Sequence, residues 1–522
     1  MYTLSSKIKN LSIFLMVLGL LGIGYGFFSA PKNTEDVEKI LAADTHGGHH
    51  GAAAAHETAP ADAHGEAVVA HGEEKEEAHA EAKEVHVETE HKTEAAHDSS
   101  VAEVKEVAHV TDSLVAPTEE THAEAHAAPA HAEKGHEVAA NHDAHADEHK
   151  KHVEHVFTQL KNKPWSALYV GALFVFLISL GVLAFYAIQW AAQAGWSPAL
   201  FRVMEAITAY IVPGGIIVFV ILVLSTLYFG DHQLNHLFVW SDKDVVANDH
   251  LIQGKSGYLN VPFFLIRAVI YLGGWILYRT YTRKNSINLD ETGDLSFYKK
   301  NFKASAGFLA FFLVSESMMA WDWVMSVDPH WFSTLFGWYV FASFFVSGIT
   351  VIALITLHLK SNGYLDFINN SHFHDLAKFM FGISVFWTYL WFSQFMLMWY
   401  SNIPEEVTYF KTRIEHYNLP FFGMVAMNFI FPVLILINTD FKRVPWIITM
   451  AGIIILSGHY LDFHNMIFPA TVGENWFIGA AEIGSVAFFA GLFLFVVFNA
   501  LTKAPLLAKG NPLIEESKHF HY

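Results

Sequence analysis

The stretch from Ser315 to Gly337, SESMMAWDWVMSVDPHWFSTLFG, places ionisable side chains inside an apolar part of the chain. Glu316 and Asp322 lie within what the pattern predicts to be one membrane-spanning helix, and His330 follows at a helix break. A charged group at the centre of a bilayer costs roughly 2.5 to 3.5 kcal/mol, so such carboxylates need a partner, water or a function. The chemistry that these residue types support is proton transfer.

The spacing of the two acids limits how they can act. Glu316 and Asp322 are six residues apart, which separates them by about 120° around a helix. They therefore cannot share one narrow face, whereas Ser315 and Asp322, seven apart, can. Two interpretations stay open. In the first, both acids exchange protons with a pore or a quinol pocket. In the second, a structural one, either Glu316 pairs with Arg267 or both acids accept hydrogen bonds from Trp, Ser and Tyr groups.

Other ionisable residues also fall in or beside apolar segments. His459 and Asp462 are three apart on one helix face, where the carboxylate can orient the imidazole for proton handling. Glu482 is expected in the outer third of the last helix, and Glu205 near the inner face of the third. Arg267 is expected at mid-depth in the fourth helix.

The sequence Asp328-Pro329-His330 has a structural interpretation. Aspartate is a good helix cap and proline a good first helical residue, so we expect Asp328 to be the N-cap of the sixth membrane helix. His330 is then either a surface group or a group that faces a quinol.

The composition is that of a polytopic membrane protein. The 522 residues are 53% hydrophobic and 15% aromatic, and the net formal charge of −19 resides between residues 31 and 155, where 29 acidic residues face nine lysines. Because cysteine is absent, the chain cannot hold a thiolate-ligated iron–sulfur cluster, a c-type haem attachment or a disulfide. His358 and His459 end their predicted helices on opposite sides, so a b-type haem is not expected, and no intrinsic cofactor is predicted.

Ten apolar segments are long enough to cross a bilayer, since about 20 helical residues span its hydrocarbon core. They are residues 11–30, 168–192, 200–229, 259–281, 305–327, 332–359, 376–400, 420–437, 444–463 and 476–501. The predicted fold class is an all-α polytopic membrane protein with about ten transmembrane helices.

Basic residues predict the orientation, because lysine and arginine concentrate in short cytoplasmic loops. A cytoplasmic N-terminus assigns 16 of them to the inner side and only Lys243, Lys255, Lys411 and Arg413 to the opposite loops. Both termini are then cytoplasmic, and the loop with His330 and the His-rich part of the chain lie outside.

Four regions follow from these patterns. Residues 1–30 are predicted to be a transmembrane anchor, because Phe28 stands where a signal-peptide cleavage site needs a small residue. Residues 31–163 are a low-complexity segment expected to be disordered with transient helix. Its 20 histidines, between residues 46 and 155, form no closed ligand motif, so weak metal binding or proton buffering is expected rather than a specific metal site. Residues 164–502 are the nine-helix core, and 503–522 a cytoplasmic tail.

Three stretches resemble a known family. They are SESMMAWDWVMSVDPHWFSTLFGWYVFASFFVSGIT, HFHDLAKFMFGISVFWTYLWFSQFMLMWYSNIPEE and HYLDFHN. Over residues 163–512 the chain resembles the F-type integral membrane subunits of bacterial alternative complex III, a respiratory quinol:cytochrome c oxidoreductase, which are similar to the NrfD and polysulfide reductase membrane subunits. The resemblance implies two four-helix bundles with peripheral helices, in a bacterial inner membrane with the His-rich segment in the periplasm.

The resemblance also implies partners and chemistry. The partners are a paralogous C-type membrane subunit, small membrane subunits, an iron–sulfur subunit and subunits with c-haems, with a terminal oxidase as a further candidate; the lipid bilayer surrounds the chain, and no nucleic acid is expected. Menaquinol or ubiquinol is oxidised near the outer face, and iron–sulfur clusters and c-haems in the partner subunits carry its electrons.

The same resemblance assigns this chain a supporting role. In the family the better-supported quinol pocket is attributed to the paralogous C-type protein, so this chain is expected to be a companion that supports quinol oxidation and offers a candidate proton route. The residues that the resemblance places on that route are Glu316, Asp322, His330, His459, Asp462 and Glu482.

Two other functions stay open. A secondary transporter for a metal cation should show paired His and Asp ligands at mid-membrane or broken helices in corresponding halves of the chain, and neither is evident in the sequence. A purely structural scaffold subunit would hold the buried acids as satisfied pairs.

Overall fold

The computed structural model describes residues 2–46, 134–230 and 232–521, which are all-α apart from one two-stranded antiparallel pairing, Tyr228–Phe229 with His232–Gln233. Among these residues, ten helices are long and apolar enough to cross a membrane. They are α1 (Ser6–Ser29), α2 (Lys134–Ala191), α3 (Pro198–Thr226), α4 (Val261–Thr292), α5 (Leu295–Val327), α6 (Phe336–Ser361), α7 (Asn370–Ser401), α8 (Asn418–Leu436), α9 (Pro445–Val472) and α10 (Ala480–Leu501). The predicted ten-helix class is confirmed, and each predicted segment overlaps one helix.

Shorter helices lie between or after these spans. They are Thr34–His46, Lys243–Asn248, His250–Lys255, Pro404–Glu415 and Ile514–Lys518, with 3-10 turns at Val239–Ser241 and Phe441–Arg443.

Of residues 31–163, which were expected to be disordered with transient helix, the structure describes residues 31–46 and 134–163. Thr34–His46 is a short helix, and α2 begins at Lys134, well before the predicted residue 168. Val153 and Asn162, in the part of α2 that precedes residue 168, are buried. This part of α2 therefore packs on the membrane core. Residues 47–133, with most of the histidines, lie outside the described residues.

The core helices form the two four-helix bundles that were expected. In the first, α4 packs on α5 and α3, while Phe176 of α2 contacts Trp275 of α4. In the second, α6 packs on α7 and α9, and α8 fills the remaining side between α7 and α9. Helices α1 and α10 pack on each other outside the bundles.

Glycines allow the closest helix contacts. A methyl group added at Gly348 of α6 would lie 2.9 Å from the Val182 nitrogen of α2, so a side chain there would push the two bundles apart. Gly22 and Gly484 join α1 to α10 in the same way, since a methyl group at Gly22 would lie 2.8 Å from the Gly484 Cα. Small residues at such contacts are typical of membrane helices, whose association depends on close packing.

Two membrane helices contain a π-helical turn. In α5 it covers Ala320–Val324 and includes Asp322, and in α8 it covers Ala426–Ile430 and includes Asn428. Such turns free backbone carbonyls and re-aim side chains, and they occur often at functional sites.

Candidate functional site

Asp322 forms a buried bidentate ion pair with Arg267 of α4. The Arg267 Nε and Nη2 donate to the two carboxylate oxygens at 2.7 and 2.8 Å, and the Tyr271 hydroxyl donates at 3.0 Å. Both charged residues are at most 3% exposed. Two parallel N–H donors and one O–H donor therefore stabilise the carboxylate charge in a low-dielectric interior.

Surrounding side chains hold this ion pair in place. The Arg267 guanidinium lies 4.0 Å from the centroid of the Tyr258 ring and 4.2 Å from that of Phe263, and its Nη1 donates to the Tyr258 carbonyl at 3.1 Å. The Trp323 carbonyl, in the π-helical turn, accepts a hydrogen bond of 2.6 Å from the Tyr169 hydroxyl of α2. The π-helical turn that sets the direction of the Asp322 side chain is thus hydrogen-bonded to α2.

The structure decides which acid Arg267 pairs with. The predicted alternative, a Glu316–Arg267 pair, is not formed, because α5 turns Asp322 rather than Glu316 toward α4. Ser315 faces α4 as well, where its Oγ accepts a hydrogen bond of 3.1 Å from Trp275 Nε1. Ser315 and Asp322 therefore share a face, as their seven-residue spacing predicts.

Glu316 faces a different neighbourhood from Asp322. Its carboxyl is buried against a cavity of about 200 Å³ between α2, α5 and α6, lined by Ala184, Ile188, Leu309, Phe312, Leu313, Trp338 and Phe341. Its Oε2 lies 3.4 Å from the Ser317 Oγ, and its Oε1 has no hydrogen-bond partner among the described residues. An unpaired buried carboxylate costs free energy. The described surroundings of Glu316 provide no group that would stabilise its negative charge.

The second bundle holds a comparable buried acid, Asp462 of α9. The Tyr339 hydroxyl of α6 donates to one of its oxygens, and Trp387 Nε1 of α7 donates to the other at 2.8 Å. All three side chains are at most 3% exposed. In contrast to Asp322, this carboxylate is held by neutral donors rather than by an arginine.

His459 lies one turn from Asp462 and is fully buried. Its Nδ1 is 2.9 Å from the Ser343 Oγ, 3.4 Å from the Asn428 Nδ2 and 3.6 Å from the Asp462 carboxylate. The predicted pair is therefore adjacent, but Ser343 makes the shorter contact that orients the imidazole. Nε2 of His459 has no partner in the described part of the chain, which leaves it free to exchange a proton with a ligand or water.

A pocket of about 360 Å³ lies beside Asp322, at the predicted outer end of the first bundle. It is lined by Gly254, Lys255, Gly257, Tyr258, Leu259, Trp321, Met325, Ser326, Asp328, Pro329, Trp331 and Phe332. Two donors in its walls, the indole N–H groups of Trp321 and Trp331, have no partner among the described residues. An aromatic pocket with a few polar groups is typical of a small-molecule site.

His330 lies at the surface beside this pocket and does not line it. Its side chain is 50% exposed, and its Nε2 contacts the Asp249 carboxylate at 2.6 Å. The predicted capping role of Asp328 is wrong, because α6 begins only at Phe336, after a turn that includes Pro329 and His330.

The Asp249–His330 contact predicts a local dependence on pH. The hydrogen bond from His330, and a further one from the Ile252 backbone N–H, lower the pKa of the Asp249 carboxyl below its usual value. A lowered folded-state pKa contributes stability that is present above the unfolded value of about 4 and is lost as the pH falls through the lower folded value. Amide protons of His250–Lys255, measured by hydrogen exchange corrected for intrinsic rates, should lose protection over that range.

The variant His330→Gln should move this loss of protection to higher pH, because the pKa of Asp249 is then depressed less. Asp249→Asn should remove the pH dependence of the loop. An unchanged profile in His330→Gln would show that the contact does not control the loop.

Glu205 belongs to an ion-pair network at the predicted inner end. Arg202 donates to it at 2.6 Å, Arg283 contacts the same carboxylate oxygen, and the Tyr186 hydroxyl donates to the other oxygen at 2.9 Å. Arg202 also pairs with Asp290 of α4. With two arginines and a phenol as partners, Glu205 fits a structural tie between α2, α3 and α4 better than a proton carrier.

Glu482 lies in the first turn of α10, within the terminal third of the helix. Its Oε2 accepts a hydrogen bond of 2.8 Å from the Gly479 N–H, which caps the helix start. Its Oε1 has no partner among the described residues and faces a cavity of about 270 Å³ that Lys163 also lines. Oε2 of Glu482 thus caps the helix, whereas Oε1 can accept a hydrogen bond from a group in the cavity.

Comparison with known proteins adds no family assignment. Neither a scan against models of known protein families nor a search of curated proteins finds a match to this chain. The chain is a helical multi-span membrane protein. Within its described residues, no group of three or more His, Asp or Glu side chains is placed to hold a metal ion.

Several residues that surround Asp322 or the His459–Asp462 pair were not singled out from the sequence. They are Tyr258, Tyr271, Tyr339, Ser343, Trp387 and Asn428. Of these residues, only Asn428 could have been identified from the sequence, since an amide side chain in an apolar segment is uncommon. Aromatic and hydroxyl side chains are ordinary in such helices, so only their contacts distinguish them.

Proposed function

We propose that this chain is a membrane subunit of a respiratory quinol:cytochrome c oxidoreductase complex of the alternative complex III type, and that its buried acids carry protons. The observation that carries the proposal is Glu316, a buried carboxyl that has no charge partner in the described part of the chain and opens onto a cavity between the two bundles. A carboxyl in this position can take up and release a proton without breaking an ion pair.

The position of Asp322 supports the same function. It lies six residues from Glu316, about 9 Å along α5, on the side of the helix that faces α4. The outer pocket adjoins it through Tyr258, which lines the pocket and packs against Arg267. Glu316 and Asp322 are then successive stations at different depths rather than a paired acid and base.

The outer pocket supports contact with a quinol. Its aromatic walls suit a planar ring, and the two indole donors that have no partner among the described residues suit ring oxygens. Since the chain has no cysteine, electrons from menaquinol or ubiquinol would pass to iron–sulfur clusters and c-haems of partner subunits. The partners in this proposal are a paralogous membrane protein, the subunits that hold those centres and small membrane subunits in a bacterial inner membrane.

The two alternative functions, a structural scaffold and a transporter, account for fewer of the observed contacts than the proposed function does. A structural scaffold accounts for the paired acids Asp322 and Glu205 but not for Glu316. A transporter with inverted halves should interrupt corresponding helices, whereas the π-helical turns lie in α5 and α8, the fourth helix of one bundle and the third of the other.

The test compares Glu316→Gln with wild type in the purified complex reconstituted into vesicles. Glutamine keeps the size of the side chain but cannot carry a proton, so we expect generation of membrane potential to fall severalfold. Quinol:cytochrome c turnover and membrane potential are measured in the same vesicles. Glu405→Gln, an exposed glutamate of the Pro404–Glu415 helix, is the matched control and should behave as wild type.

The double variant Arg267→Gln with Asp322→Asn extends the test to the second station, because Asp322→Asn alone would leave the buried Arg267 guanidinium unpaired. If Glu316→Gln and this double variant both keep wild-type turnover and membrane potential, the proton role is wrong and the scaffold alternative is favoured.

A further inference from the structure

The cavity of about 270 Å³ beside Glu482 lies where α1 ends and α10 begins. Its walls include Ser29 at the end of α1, Gly479 immediately before α10, and Lys163 of α2. Tyr25 of α1 also lines the cavity and is 62% exposed. The cavity is therefore open to the surface of the protein beside α1.

This position corresponds to the level of the lipid headgroups. About 20 helical residues span the hydrocarbon core, and α1 has 24, so its last turn reaches the headgroup region. Trp476 precedes α10 at the same end, and Tyr25 lies in the last two turns of α1. Tryptophan and tyrosine concentrate at the boundary between hydrocarbon and headgroups.

Two opposite charges line the cavity without pairing. The Glu482 side chain is 1% exposed, and its Oε1 has no hydrogen-bond partner among the described residues. Lys163 forms neither a hydrogen bond nor an ion pair within the described part of the chain. A buried carboxylate oxygen needs a donor, and an ammonium group offers three donors and no acceptor. The cavity thus presents a negative acceptor and a positive donor that are both unused.

This pair of charges selects the kind of ligand. Glu482 repels an anionic group and Lys163 repels a cationic one, whereas a zwitterion with an ammonium and a phosphate complements both. The ammonium must carry N–H groups, because Glu482 Oε1 lacks a hydrogen-bond donor and not merely a neighbouring charge.

The surface next to the cavity suits the acyl chains of a lipid. Leu21 lies one turn before Tyr25 on α1, and Ile483 follows Glu482 on α10. Leu21 and Ile483 are both exposed and apolar, so they extend the open side of the cavity with apolar surface. A headgroup in the cavity can therefore keep its acyl chains along α1 and α10.

We propose that this cavity binds the headgroup of a zwitterionic aminophospholipid such as phosphatidylethanolamine. The lipid ammonium donates a hydrogen bond to Glu482 Oε1, and the lipid phosphate accepts one from Lys163 Nζ. Glu482 then has a binding role instead of the place on a proton route that the family resemblance implies. The inference goes beyond the proposed function and does not depend on it, because lipid binding is measured without turnover.

The first test titrates the purified full chain with lipids and counts bound lipid by native mass spectrometry. The probes are phosphatidylethanolamine, its N-methyl and N,N-dimethyl derivatives, phosphatidylcholine and phosphatidylglycerol, all with the same acyl chains. We expect affinity to fall along the methylated series, with phosphatidylethanolamine bound about tenfold more tightly than phosphatidylcholine, whose ammonium has no N–H donor. Equal affinities for these two lipids would overturn the proposal, as would tighter binding of the anionic phosphatidylglycerol.

Two variants then assign this preference to the cavity. Glu482→Gln keeps an oxygen for the Gly479 N–H but removes the charge, so the tenfold preference should fall to about twofold. Lys163→Gln should weaken binding of both lipids about fivefold, because the phosphate loses its cation. Glu474→Gln and Lys161→Gln are the matched controls; both residues are exposed, and both variants should bind lipid as wild type does. A preference that survives Glu482→Gln, or an unchanged affinity in Lys163→Gln, would overturn the proposal.

Free phosphoethanolamine separates a lipid site from a site for a soluble zwitterion. It carries the same ammonium and phosphate without acyl chains, so it should bind at least about tenfold more weakly than the lipid. Binding as tight as that of phosphatidylethanolamine would overturn the lipid as the occupant.

Discussion

Replacing Arg267 by Gln is expected to destabilise the folded protein by about 3–5 kcal/mol, because it leaves Asp322 as an uncompensated buried charge. The arginine supplies two of the three donors to this carboxylate, at 2.7 and 2.8 Å, and glutamine can replace neither its charge nor its fork of donors. Equilibrium unfolding in lipid nanodiscs, followed by tryptophan fluorescence, measures the change.

The double variant Arg267→Gln with Asp322→Asn separates charge from packing. Neutralising both partners removes the unpaired charge, so most of the lost stability should return. Lys299→Gln is the control, since that lysine is exposed on the same pair of helices. If Arg267→Gln were no more destabilising than Lys299→Gln, the pair would not be buried as the structure has it.

Replacing Asp462 by Leu is expected to cost about 2–6 kcal/mol. Leucine deprives both the Tyr339 hydroxyl and the Trp387 N–H of their acceptor, and each buried donor left unpaired costs about 1–3 kcal/mol. Asp462→Asn keeps one acceptor oxygen at nearly the same volume, so its cost should be clearly smaller. Unfolding under the conditions used for Arg267 measures both variants.

The comparison of the two Asp462 variants decides what this residue does for the fold. Equal effects of leucine and asparagine would mean that the two donors find other partners, and the site would be less constrained than its distances indicate. A larger effect of leucine would establish that Asp462 holds α6 and α7 against α9 by hydrogen bonds.

The two bundles therefore stabilise their buried acids by different chemistry. Asp322 has a permanent cation in Arg267, so neutralising the carboxylate would leave a buried guanidinium. Asp462 has neutral donors and a nearby histidine, His459, whose charge can change near neutral pH. The second bundle is thus the better placed of the two to respond to a proton, and Glu316 lies at the cavity between them.

The sequence by itself determined the features that depend on local pattern. The ten spans follow from hydropathy over about 20 residues, and the shared face of Ser315 and Asp322 follows from helix periodicity. The location of Glu316 and Asp322 in one helix followed in the same way. Helix ends were less well determined: α6 begins at Phe336 rather than near 332, because the turn after Asp328 continues further than its capping pattern suggests.

Only the tertiary structure decided which groups meet. Arg267 pairs with Asp322 rather than Glu316, because the π-helical turn in α5 and the packing of α4 set the direction of each side chain. His330 meets Asp249 across 81 residues of chain, and His459 meets Ser343 across 116. Hydropathy and spacing describe one helix at a time, whereas the partner of a buried acid is chosen by how distant helices pack.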